Sequence, residues 1–125
     1  MKAFLDTHAA IFLAAGRVQE FGPASREVIE RSALFLSPAV RLELGMLAEI
    51  GKLKTEPDHV LGILAADLGL RLSSDRFDAV VAEAVPLTWT RDPFDRLIVA
   101  TAILHRAPLL TRDARMHRHF PGAVW

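Results

Sequence analysis

The amino-acid sequence predicts a single α/β domain over residues 1–125, with a central, mostly parallel β-sheet flanked by helices on both faces. Short apolar runs at residues 2–5, 33–37, 70–73 and 108–111 alternate with stretches of helical character. That alternation is the pattern of parallel βαβ units, whose sheet is covered on both sides. Two of the helices open on a cap followed by proline, Ser37-Pro38 and Asp92-Pro93, where proline's missing N–H donor is not needed. With 125 residues and 51% hydrophobic side chains, the chain can bury one sizeable core.

Taken in order, residues 2–5 form a strand closed by Asp6-Thr7, and a helix follows from about His8 to Ala15, ended by Gly16. Gly22-Pro23-Ala24-Ser25 opens a second helix to about Arg31, and residues 33–37 form the second strand. The third helix runs from Ser37-Pro38 to about Ile50 and stops at Gly51; residues 52–56 are a polar linker. Residues 57–68 are helical, 70–73 a short strand, and 75–84 a helix capped by Ser74 or Asp75. After a loop at 86–90 comes the helix on which the chain is organised, entered at Asp92-Pro93. Between Leu97 and Leu104 only Thr101 is polar, so the helix is apolar almost all round and belongs in the interior. Residues 108–111 make a strand, 113–119 a short helix and 122–125 a last edge strand. There is no internal repeat, low-complexity segment or domain linker.

Composition excludes several classes. No apolar run approaches the roughly 20 residues that span a bilayer. An acid at position 6 comes too early for a secretory signal. Cysteine is absent, which removes disulfides and thiolate metal sites and fits a cytoplasmic protein. The formal net charge is zero, so there is no global pull toward nucleic acid. From residue 91 onward, however, six arginines stand against three aspartates. Arg91, Arg96 and Arg112 in this third are candidates for contact with a phosphate backbone.

The acids carry the chemistry. Parallel sheets place ligand sites at the carboxyl ends of their strands. Asp6 directly follows the first strand and Asp113 follows residues 108–111, so two strands deliver carboxylates to one edge. Each can equally serve as the cap of the next helix. Asp95 lies in the first turn of the buried helix, where compensation of the helix dipole is the ordinary explanation. Glu43 is the most informative. On a wheel of about 100° per residue with Val40 at zero, Glu43 falls near 300°, inside an apolar arc between Ile50 near 280° and Leu47 near 340°. A buried carboxylate needs a partner, either an ion pair to Arg96 or Arg91 or a ligand. Four acids converging on one cleft repel one another, and a divalent cation removes that repulsion. Oxygen-only ligands select Mg²⁺ or Mn²⁺, whose bound water suits phosphodiester hydrolysis.

The segments Leu5-Asp6-Thr7-His8, Glu43 within residues 37–44, Asp92-Pro93-Phe94-Asp95-Arg96 with Ala100-Thr101-Ala102, and Leu110-Thr111-Arg112-Asp113 resemble the PIN domain, most closely its VapC-type toxin ribonucleases. The resemblance covers essentially the whole chain. It implies a Mg²⁺-dependent endoribonuclease, with Mn²⁺ able to substitute, usually a homodimer and held inactive by a VapB-type antitoxin. It maps the metal-binding, catalytic acids onto Asp6, Glu43, Asp95 and Asp113. Asp92 and Thr111 are supporting residues, Thr111 orienting Asp113 or a water; His8 belongs to the motif without an assigned role.

Other readings stay open at this level. A PIN nuclease outside any toxin system would look the same. A phosphoacceptor signalling domain also clusters acids at strand ends, but it wants a lysine after a late strand, where Arg112 stands, and it leaves Glu43 unexplained. An Asp-x-Asp phosphatase needs an acid at position 8, which is His8. A pure binding module would carry the same acids without cleaving anything.

Overall fold

The computed structural model describes all 125 residues. The elements are β1 (Lys2–Leu5), α1 (Thr7–Ala14), a single 3-10 turn (Val18–Glu20), α2 (Pro23–Arg31), β2 (Ala33–Leu36), α3 (Pro38–Glu49), α4 (Pro57–Leu68) and β3 (Arg71–Leu72). Then follow α5 (Phe77–Ala84), α6 (Pro93–Leu104), β4 (Leu109–Leu110), α7 (Ala114–His119) and β5 (Ala123–Val124). All five strands are parallel, in the order β3-β2-β1-β4-β5. The chain winds outward from β1 to β3, then returns to the other side of β1 for β4 and β5. The order therefore reverses between β1 and β4, the switch point at which open parallel sheets form their crevice. Register places Phe4 opposite Leu109 and Leu5 opposite Leu110.

The middle of α6 is buried on every side, from Ile98 to Ala102, as its apolar run demands. Ala100 packs with Val80 and Ala84 of α5, the small side chains letting two helices approach closely. Thr101, the one polar residue there, donates its hydroxyl to the Leu97 carbonyl at 2.7 Å and so buries no unmet donor. The main core joins β1, β2 and β4 to Val40 and Leu44 of α3, Val60 and Leu64 of α4, and Ile98 and Val99 of α6. No helix is long and apolar enough to cross a membrane.

Two expectations need correction. The helix expected from residue 75 begins at Phe77 with Arg76 at the N-cap position, and no side chain caps it. Asp75 is engaged elsewhere. Its Oδ1 lies 2.8 Å from Nε2 of His105, in a pair largely withdrawn from water. A partner thirty residues away outweighs a local cap. Ile50, expected within an apolar arc, is 65% exposed at the end of α3, where that helix leaves the core. The 3-10 turn has no counterpart among the elements expected from the sequence.

Gly22 marks a close approach. The Trp125 carbonyl accepts a bond from the Ser25 amide at 3.3 Å, and the Trp125 indole stacks on Phe21 with centroids 4.7 Å apart. A Cβ on Gly22 would stand 2.7 Å from the Trp125 carbonyl carbon, a backbone atom with little room to yield. Gly62, inside α4, has nothing within 4 Å of its missing Cβ. Gly22→Ala should therefore destabilise the fold by about 1–3 kcal/mol through overpacking. Gly62→Ala should stabilise it by about 0.5–1 kcal/mol through helix propensity. Urea unfolding of both variants beside the parent checks the opposite signs.

Candidate active site

A cavity of about 370 Å³ opens at the β1/β4 switch point, lined by Asp6, Glu43, Asp92, Asp95 and Asp113 together with Thr7, His8, Phe12, Ile98, Arg112, Met116 and Trp125. The four acids singled out in the sequence thus meet, and Asp92 joins them. Asp6 and Asp113 follow β1 and β4, whose ends the sheet order brings side by side, while Asp95 comes from the first turn of α6 and Glu43 from the middle of α3.

Three of the aspartates combine helix capping with a place in the cavity. Asp6 caps α1, its Oδ1 accepting from the Ala9 amide at 2.8 Å. Asp92 caps α6, its Oδ1 accepting from the amides of Phe94 at 2.8 Å and Asp95 at 3.4 Å. Asp113 caps α7, its Oδ1 accepting from Arg115 at 2.8 Å and Met116 at 3.0 Å. In each the capping bonds fix the side chain and use one oxygen, and three helix N-termini converge on the cavity. The ordinary structural role and a place in the cleft therefore coincide.

Two hydroxyls hold the remaining anchors. Thr111, fully buried, donates to Oδ2 of Asp6 and accepts the Asp113 amide at 3.0 Å. Thr111 thus holds the Asp113 backbone, as expected of it, and in addition ties Asp6 to the same hydroxyl across the β1–β4 pairing. Thr7, 2% exposed, donates to Oε1 of Glu43. Of the two alternatives for Glu43, the ion pair to Arg96 or Arg91 is absent. Arg96 is occupied elsewhere, donating to the Thr90 carbonyl at 2.8 Å, and Arg91 donates to the Thr88 carbonyl at 3.1 Å; both brace the loop before α6. Arg112 alone of the three candidate arginines lines the cavity. His8 lines it too, with an exposed side chain. Thr7 was missed in the sequence; its only local signal is a hydroxyl immediately after Asp6 at a helix start.

None of the five carboxylates is ion-paired; the salt bridges of the molecule lie on other acids. The electrostatics follow. Burial raises the Asp6 carboxyl above its usual range, with the bonds from Thr111 and the Ala9 amide opposing. Burial likewise raises Glu43, opposed by the Thr7 hydroxyl. Asp95 is pushed up to about 7, by burial first and then by the charges of Asp92, Asp113, Glu43 and Asp6. It has no hydrogen bond to offset them. No three of the His, Asp and Glu side chains are arranged so that together they would hold a metal ion directly.

The PIN domain family model matches residues 3–120, and the chain belongs to the PIN-domain family. It is 33% identical to Ribonuclease VapC22 of Mycobacterium tuberculosis across 97% of its own length and 96% of that protein's. In fold it is similar to VapBC2 from Rickettsia felis bound to a DNA fragment from its promoter, at a TM-score of 0.66 and 17% identity, covering 99% of this chain and 96% of that one. It is also similar to a toxin–antitoxin complex from Klebsiella pneumoniae, at a TM-score of 0.64 and 21% identity, covering 98% and 96% respectively.

The raised acids have a consequence for stability. Asp95 binds its proton in the folded state up to about pH 7, whereas its ordinary value is 3.8. Between those values Asp95 holds its proton in the folded chain and not in the unfolded one, so its contribution to stability is fully present in acid and is lost as pH rises through the folded value. In chelator, Asp95→Asn should match the parent near pH 4 and exceed it at pH 8. At this half-exposed position water screens the effect to about 1 kcal/mol, a few degrees of melting temperature. Melting curves from pH 4 to 8 check the sign; a gain that is largest in acid contradicts it.

Proposed function

We propose that this chain is a VapC-type ribonuclease, the toxin of a toxin–antitoxin pair, which hydrolyses RNA phosphodiester bonds at the cavity between β1 and β4. The observation that carries the reading is the set of five carboxylates on one cavity with no cation paired to any of them. Membership of the PIN family and identity to a protein named as a ribonuclease support the reaction class. The similar solved complexes support a VapB-type antitoxin as partner. Leu42, Met46 and Ile50, four apart along α3 and its end, are 61%, 45% and 65% exposed and supply apolar surface that protein partners can cover. We propose a homodimer as the working unit and the cytoplasm as its compartment.

PIN-domain nucleases of this type are divalent-metal dependent, and the donor set fits such an ion. The acids that could hold it offer oxygen, which suits Mg²⁺, with Mn²⁺ as substitute. Mg²⁺ keeps several waters and needs only one or two direct carboxylates, so it does not require three converged side chains, and the other acids would reach it through water. We assign Asp6, Glu43, Asp95 and Asp113 to holding the ion. When bound, the ion neutralises the carboxylates, lowers the pKa of water and stabilises charge on the phosphate. Thr111 and Thr7 keep Asp6 and Glu43 in fixed rotamers, which a preorganised site requires. The cap bonds of Asp6 and Asp113 hold them at the strand ends while RNA enters. Asp92 restrains the first turn that carries Asp95. Cleavage leaves a 5′-phosphate and a 3′-hydroxyl.

Asp6→Asn and Glu43→Gln keep size and shape while removing charge. Each should lower Mn²⁺-dependent RNA cleavage by about a hundredfold or more, with the circular dichroism spectrum unchanged. An ion that binds only the folded chain adds about 2.7 kcal/mol at a hundredfold excess over its Kd. Mn²⁺ should thus raise the parent's melting temperature more at pH 7.5 than at pH 5, where protons compete for the same oxygens, and should raise that of Asp6→Asn less. Full activity in either variant, or equal shifts in parent and Asp6→Asn at every pH, defeats the assignment.

A further inference from the structure

One wall of the cavity is neither acidic nor part of the core. Arg112 lines the cavity beside Asp113, yet its charge is not spent on the acids there. Its Nη1 lies 3.1 Å from Oε2 of Glu20, while the other oxygen of Glu20 lies 2.7 Å from Nη2 of Arg17. Both guanidiniums also sit over Phe12, at 4.9 Å for Arg112 and 5.0 Å for Arg17 from the ring centroid. Arg112 further lies 5.9 Å from the Trp125 ring. One carboxylate thus braces two arginines against an aromatic surface at the cavity's rim. The two guanidiniums hold Glu20 below the ordinary carboxylate range, so the brace persists at neutral pH.

The wall is rigid where it must be. Trp125 cannot swing away: Phe21 stacks on its indole, Gly22 lets its backbone settle, and the Ser25 amide holds its carbonyl. Arg112 by contrast is 54% exposed and uses one of its five N–H donors on Glu20. It keeps donors for an incoming anion, and its guanidinium lies against the rings of Phe12 and Trp125. A planar guanidinium and aromatic faces are what an unstacked base and its phosphate bind.

We infer that Phe12, Arg112 and Trp125 form a nucleotide subsite, seating one unpaired base of single-stranded RNA and its phosphate next to the carboxylates. This rests on the ribonuclease reading and adds to it the site that positions the strand. At rest Glu20 holds Arg112 over both rings; when RNA competes for Arg112, the guanidinium follows the phosphate and uncovers the faces of Trp125 and Phe12 that it occupied, and the base stacks there. Duplex RNA, whose bases are stacked and paired, cannot use such a wall, so the subsite selects single strands and loops.

The test uses Trp89→Phe protein, which leaves Trp125 as the sole indole and keeps an aromatic ring against His119. A single-stranded oligoribonucleotide is titrated in chelator and again in Ca²⁺, and Trp125 emission is followed. Quenching is expected with the normal oligonucleotide and not with an abasic one of the same length. Arg112→Gln should raise Kd and KM about tenfold while kcat falls by less, and Arg112→Lys should recover only part of that loss. Glu20→Gln, which frees Arg112, should tighten binding about threefold at low salt and steepen its salt dependence. If neither condition gives quenching and Arg112→Gln binds RNA like the parent while Mn²⁺-dependent cleavage persists, the subsite is wrong and the ribonuclease stands. If the parent cleaves no more than Asp6→Asn, it is the ribonuclease reading that falls.

Discussion

The pairing of β1 with β4, Leu5 opposite Leu110, sets Asp6 beside Thr111, and a buried hydroxyl joins the two strands at their carboxyl ends. The rest of the cleft is arranged around that junction. Because the sheet order reverses there, no helix or strand covers the crevice, and α6 enters it with its N-terminus. Asp95 is carried in by α6, Glu43 by α3, and Asp113 by the turn that follows β4. A slip of one residue between β1 and β4 would turn Thr111 away from Asp6 and the side chains of β4 to the opposite face.

The cleft stores unfavourable electrostatics that the core must outweigh. Carboxylates without counter-charges are held together by packing, by helix caps and by two threonine hydroxyls. Capping supplies part of the compensation, because three helix N-termini direct partial positive charge at the same cavity. Arg112 could have neutralised the cluster and does not; Glu20 draws it to the rim. A cation buried among the acids would have stabilised the resting fold and filled the space a ligand needs.

Local chemistry made much of this legible in the sequence. Asp92-Pro93 announced α6 because an N-cap and a proline at the first position act within one turn, and its apolar run announced its burial. Asp6 and Asp113 were visible as acids at strand ends, and Glu43 as an inward-facing residue of α3. What could not be seen were pairings set by tertiary structure. Thr111 and Asp6 are 105 residues apart, Thr7 and Glu43 36, and Asp75 and His105 30; no periodicity links such pairs. The last of these removed Asp75 from the cap that local preference assigned it. Arg91, Arg96 and Arg112 looked alike as basic residues of one segment. Their different roles depend on which carbonyl or carboxylate each side chain can reach, and that is fixed only once the loop before α6 and the 3-10 turn are in place.

A site made from helix caps is also exposed to loss in a particular way. Asparagine caps a helix about as well as aspartate, whereas alanine in the same place weakens it by about 0.5–2 kcal/mol. One nucleotide change converts an aspartate codon to an asparagine codon. At Asp6, Asp92 and Asp113, then, the shortest mutational path removes the charge and leaves the helix start, the strand junction and the outer surface intact. Lineages that must escape the activity of such a protein have a route that spares the fold. The chemically silent copies it produces would still display the same surface to whatever binds the active form.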